Sequence, residues 1–165
     1  METKNIQYPY LPENRTIFYV SGDDAYMAEA KKYAQKYRGN LEQPAAALIV
    51  KNNKIIGIGS IGNNPAHLTG CKRVALNMPT GEGYELCEGC DPKFHSEARA
   101  VADALSKKEN ISGADLYLWG HWWCCKNCWE AMIAAGIRNV CLLEDSEILF
   151  NKKDPGNIIG RQFDL

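Results

Sequence analysis

The sequence predicts an α/β sandwich of three layers, in which helices cover both faces of a mixed five-stranded sheet. Three observations predict it. The apolar periods run helix, hairpin, helix, strand, helix, strand. The first two strands are joined by a two-residue turn, which makes them antiparallel. The later strands are separated by whole helices, which allows parallel pairing.

Residues 1–20 carry the run Tyr8-Pro9-Tyr10-Leu11-Pro12 and no clear period, so they read as an irregular N-terminal arm, with Ile17–Val20 packing onto the domain. The single domain then spans 21–150. A helix is expected from Asp24 to Arg38, because Tyr26, Ala30, Tyr33, Ala34 and Tyr37 repeat at helical spacing and Gly39 stops it. Strands follow at Ala46–Lys51 and Ile55–Ser60, with Asn52-Asn53 as the hairpin turn between them. Residues 61–92 lose periodicity and hold Cys71, Cys87 and Cys90. An irregular stretch of about thirty residues in a compact domain is usually functional or pinned by something. A second helix is expected over Pro92–Lys108 and a strand over Ala114–Trp119. The run Cys124-Cys125-Lys126-Asn127-Cys128 opens a third helix, which ends at Gly136. Arg138–Leu143 reads as a buried strand, Glu147–Phe150 as an edge strand, and 151–165 as a C-terminal tail.

Composition narrows the function. A formal net charge of −1 with scattered Lys and Arg offers no basic stripe, which weighs against a nucleic-acid partner. No apolar run approaches the ~18 residues of a membrane span and no charged-then-apolar leader opens the chain, so a cytoplasmic protein without membrane contact is expected. Seven cysteines in a reducing compartment point to metal ligands or catalytic thiols before disulfides.

Cys125 and Cys128 stand three apart at a helix start, a turn that lets both sulfurs face one point. His95 would supply a third ligand and leave a fourth position for water, which is the arrangement of a catalytic zinc. Two thiolates cancel the charge of the ion and weaken its power to acidify water, so a nearby proton acceptor is needed. Glu97 fits that need. On a regular helix residues i and i+2 point about 200° apart. Both can reach one site only if His95 lies in the non-helical capping turn.

His-x-Glu followed by Cys-x-x-Cys at a helix start resembles the zinc-dependent cytidine/deoxycytidylate deaminase superfamily. The resemblance covers about Asp24 to Leu143. Gly62-Asn63-Asn64-Pro65, the run Thr80 to Cys87, and Ala135-Gly136-Ile137 look most like the deoxycytidylate branch. It implies a cytidine-deaminase-like fold, with His95, Cys125 and Cys128 as zinc ligands and Glu97 as proton shuttle. The implied reaction is attack of a metal-activated water on C4 of a cytosine nucleotide, with dCMP giving dUMP and ammonia. Asn63 or Asn64 would contact the sugar, and the Ser96 backbone amide a base carbonyl. Assembly as a homo-oligomer is also implied. Two residues depart from the family pattern: Cys124 stands where it has proline, and Ser96 where it has alanine.

Other readings stay open on the sequence. The substrate could be free cytidine, cytosine or another aminated heterocycle, or the chain could be a non-catalytic zinc-stabilised interaction domain; a carboxylate at Glu97 discriminates the last. Trp123 is a candidate stacking wall for a base, His121 lies near the site, and Lys72-Arg73 is a candidate phosphate clamp. His67, Cys71, Cys87 and Cys90 form a second N/S set, suited to a closed structural zinc that pins the insertion.

Overall fold

The computed structural model describes residues 1–39, 41–61, 70–79 and 81–164. Its sheet is mixed and has six strands: β1 (Glu2–Thr3), β2 (Ile17–Val20), β3 (Ala45–Lys51), β4 (Lys54–Ile61), β5 (Asp115–Trp119) and β6 (Asn139–Leu143). They lie in the order β1-β2-β6-β5-β3-β4. The β3/β4 and β3/β5 pairs are antiparallel, and β5/β6 and β2/β6 parallel. Helices are α1 (Ala25–Lys36), α2 (Lys72–Ala75), α3 (Ser96–Ser106), α4 (Lys126–Ala135) and α5 (Ser146–Leu149).

Period-two alternation builds two cores. On β3, Ala45, Ala47 and Ile49 face one side, joined by Leu116 and Leu118 of β5 and covered by Ala100, Val101 and Ala104 of α3 and Trp129 and Met132 of α4. Ala46, Leu48 and Val50, with Tyr117 and Trp119, face the other side, under Met27, Ala30 and Ala34 of α1. Burial on both faces explains why β3 reads as an apolar run.

Local signals set the boundaries. The Asp24 carboxylate accepts from the Tyr26 and Met27 amides at 2.9 and 3.0 Å and starts α1. Asn52 and Asn53 both have positive φ, 51° and 59°, as a two-residue hairpin turn requires.

Two sequence expectations change. Ile17–Val20 is a sheet strand beside β6, and the arm before it is docked: the Tyr8 and Tyr19 hydroxyls hydrogen-bond, and Ile6, Tyr8 and Tyr10 pack on the core. The arm and its strands supply the sixth strand and more. Glu147–Phe150, expected as an edge strand, instead forms α5 and its C-cap. Phe150 is buried edge-on to Trp119, with ring centroids 5.0 Å apart, so a single turn of helix is enough to bury the apolar side chain.

The helix that carries His95 is held unusually close to the sheet. A Cβ placed on Gly59 of β4 would come 2.1 Å from the Ser96 carbonyl oxygen and 2.4 Å from the Ala100 amide. Only glycine fits there. From the same helix, the Asp103 carboxylate accepts the Ile58 amide of edge strand β4 at 2.9 Å, and Arg99 donates to the Ser60 carbonyl at 2.8 Å. These bonds satisfy and cover an otherwise open sheet edge.

Candidate active site

Strands β4 and β5 end on the same side of the sheet, since Ile61 lies opposite Ala45 and Trp119 opposite Ala46. The N-termini of α3 and α4 converge there. His95 is the N-cap of α3 with extended backbone, φ −66° and ψ 150°, and Cys125 is the N-cap of α4, φ −71° and ψ 163°. His95 therefore stands outside the helical turn that carries Glu97, which removes the i, i+2 conflict.

The structure brings His95, Cys125 and Cys128 together, with donor atoms all within 4.8 Å of one another. His95 Nδ1 lies 3.5 Å from Cys125 Sγ and 3.4 Å from Cys128 Sγ. A tetrahedral zinc with bonds of about 2.3 Å to sulfur and about 2.05 Å to nitrogen separates N and S by about 3.5 Å. The donor set thus fits zinc in both chemistry and spacing. Cys128 donates to Cys125, which brings the Cys125 thiol down to about 5 with help from His95; the same bond and burial hold Cys128 well up. Burial lowers the His95 ring, but the bond to Cys125 and the charge of Glu97 outweigh it and raise the pKa. The three groups share protons that a doubly charged cation would displace.

Glu97 is 5 % exposed and Ser96 1 %, and Ser96 Oγ donates to Glu97 Oε2 at 3.3 Å. Cys124 is fully buried in the core and lies outside the donor triad; burial first, then Glu97, keeps it a neutral thiol. Burial also pushes His121 down to about 4, with the neighbouring His95 adding to the effect.

The insertion covers this site. Tyr84 presents its ring to His95 in an edge-on contact, centroids 4.9 Å apart. Trp123 is 8 % exposed, and a Cβ on Gly81, which has φ +91°, would come 2.7 Å from its benzo edge. A base stacking on Trp123 would share the ring with Gly81. Arg73 is engaged within the insertion: it donates to the carbonyls of Glu82 at 2.8 Å and Pro79 at 3.1 Å, and lies 4.6 Å over the Tyr84 ring. That leaves Lys72 as the exposed member of the expected phosphate clamp. Asn63, Asn64 and His67 lie outside the described residues. The edge contact of Tyr84 on His95 was missed in the sequence; its one signal is the place of Tyr84 inside the family-like run 80–87.

The model of the cytidine and deoxycytidylate deaminase zinc-binding region matches residues 20–144. The chain belongs to that family. Strands β3 to β6, with both helix N-termini of the site, fall inside the match. Among solved structures, the dCMP deaminase of cyanophage S-TIM5 in complex with dCMP and dUMP is similar at 22% identity and a TM-score of 0.50, over 75% of this chain and 84% of that one. The diaminohydroxyphosphoribosylaminopyrimidine deaminase/5-amino-6-(5-phosphoribosylamino)uracil reductase of Thermotoga maritima is similar at 21% identity and a TM-score of 0.41, over 69% of this chain and 28% of that one. Curated protein sequences give no match. Among the described residues no helix is long and apolar enough to cross a membrane.

Proposed function

We propose that this family member deaminates a free cytosine nucleotide, dCMP, to dUMP and ammonia, with zinc held by His95, Cys125 and Cys128. One observation carries the reading: a buried carboxylate, Glu97, stands two residues from His95 where two helix N-termini meet. A purely structural metal site has no use for it. When bound, zinc is a Lewis acid that lowers the pKa of water. Glu97 accepts the proton of the attacking water and delivers it to N3 of the base. It then carries the second proton to the amino group, so that the C4–N bond breaks, C4 gains a carbonyl oxygen and ammonia leaves. The helix N-termini stabilise thiolate and developing negative charge alike. Ser96 orients the Glu97 carboxylate, and its backbone amide is assigned to the base carbonyl. Asn63 or Asn64 is assigned to the sugar, and Trp123 to the wall of the base site.

The nucleotide assignment is supported by the 80–87 run and by the insertion lying over the metal triad, where it would enclose a mononucleotide and hinder a polynucleotide. The cyanophage protein of like fold binds dCMP and dUMP. All seven cysteines are free thiols, which supports a reducing, cytoplasmic setting.

The test is ammonia release from dCMP, CMP, deoxycytidine, cytosine and a single-stranded oligonucleotide by zinc-loaded protein. The highest kcat/KM is expected with dCMP, and Glu97→Gln should lower kcat by about 10²–10⁴ while zinc is retained. Turnover of the oligonucleotide but not of dCMP would sink the substrate assignment. Unchanged activity in Glu97→Gln would sink the mechanism.

A further inference from the structure

Between Gly70 and Cys90, Cys87 and Cys90 carry the only buried side chains among the described residues, while Val74 and Leu76 are 77 % and 55 % exposed. A segment with so little apolar burial does not hold one conformation by packing alone; short segments of this kind are held by a disulfide or a metal. The side chains that do converge here are thiols. Cys71, Cys87 and Cys90 have sulfurs within 4.8 Å of one another, and those of Cys71 and Cys90 are 3.5 Å apart. Two sulfurs on a tetrahedral zinc stand about 3.8 Å apart. A disulfide would join two of the three and leave the third without purpose, whereas one ion uses all of them.

We propose that Cys71, Cys87 and Cys90 supply three of the four donors of a second, structural zinc that braces the insertion against His95. Three thiolates and a doubly charged ion leave one net negative charge, and Arg73 Nη1 lies 3.4 Å from Cys90 Sγ to balance it. The same guanidinium covers the Tyr84 ring, whose edge meets His95. The His95 ring also hydrogen-bonds the Cys90 backbone. With Nδ1 facing Cys125 and Cys128, that bond falls to the other ring nitrogen. A partner on the second nitrogen is what fixes the tautomer and orientation of a metal-binding histidine. The second ion therefore holds the residue that holds the first. This brace, unlike the second site itself, rests on the proposed role of His95.

Zinc and protein are quantified in wild-type chain purified under reducing conditions and dialysed against metal-free buffer, beside Cys87→Ser and Cys125→Ser. Wild type is expected to hold about two zinc per chain and each variant about one. A wild-type ratio near one that Cys87→Ser leaves unchanged overturns the second site, as does a thiol titration of the unfolded, unreduced chain falling two short of the seven cysteines. The wild-type ratio is read without any variant, so misfolding of a variant does not decide it. A ratio that Cys87→Ser lowers and Cys125→Ser does not supports this site and overturns the other. For the brace, chelator competition on Cys87→Ser should show the remaining zinc bound 10–100-fold more weakly than in wild type. Unchanged affinity overturns it.

Discussion

Residues 95–97 are turned in different directions by backbone position alone. His95 is extended at the cap, so its ring points to Cys125 and Cys128; Ser96 and Glu97 enter the helix and turn inward, buried. A one-residue shift of the helix start would place the His95 ring and the Glu97 carboxylate on opposite sides. His121 adds a neighbour whose charge matters. Its pKa is lowered to about 4 by burial and by His95, and a cation held on His95 repels its proton in the same sense. His121 is therefore neutral at pH 7. Because its folded pKa lies below its unfolded value of about 6.5, protonation favours the unfolded chain. This contribution to stability is present above pH 6.5 and is lost as the pH falls through 4. An NMR titration of the imidazoles should find the His121 resonance midpoint near pH 4. A midpoint between 6 and 7 would show the ring to be solvated and free of these interactions.

At the scale of elements, the site depends on how closely α3 lies on β4. Gly59→Ala would drive a methyl group into backbone atoms of Ser96 and Ala100, which cannot swing aside. Overpacking usually costs about 1–3 kcal/mol, and a clash with backbone belongs at or above the top of that range. Gly59→Ala is expected to cost about 3 kcal/mol or more by urea unfolding, and to weaken zinc binding because α3 carries His95. Gly22→Ala is the control, since its nearest new neighbour is Leu143 Cδ1 at 3.7 Å, and it should be close to neutral. Equal stabilities for the two variants would refute the close-approach argument. This dependence was hidden in the sequence, where Gly57 and Gly59 read only as residues of a strand. Long periodic elements were legible: the Asp24-capped helix, the Asn52-Asn53 hairpin, and β5 and β6 with α4 between them. Strand β2 was not, because four apolar residues behind a Pro/Tyr-rich arm have no period of their own and gain their partner from β6, over a hundred residues away. The α5 turn was misread for a related reason: a four-residue apolar run does not distinguish one helical turn from one short strand. The donor triad was legible because its spacing is local within each half. The Tyr84 and Gly81 contacts were not, because they join an aperiodic segment to distant helices.

For the whole molecule, the metal ties together parts that the sheet alone leaves separate. His95 caps α3 and Cys125 and Cys128 belong to the start of α4, while both cores are closed mainly by apolar side chains, with Cys128 inside one of them and Cys125 packed at its edge. Folding of the sheet should therefore survive loss of zinc, but with less stability. A ligand bound only to the native state contributes RT ln(1 + [L]/Kd), about 4 kcal/mol when free zinc is a thousandfold above Kd. In a chain of this length each kcal/mol moves Tm by roughly 2–4 °C, so chelation should lower Tm by roughly 8–16 °C. The far-UV circular dichroism at 25 °C should stay close to that of the zinc-loaded protein, and readdition of zinc should restore Tm. Unfolding at 25 °C on chelation would mean that the two cores do not suffice and that the metal is part of the fold. An unmoved Tm would mean that zinc is not held by the native state, and the catalytic reading of His95, Cys125 and Cys128 would fall with it. Acid should act in the same direction as the chelator, because protons and zinc compete for the same two thiols and one imidazole.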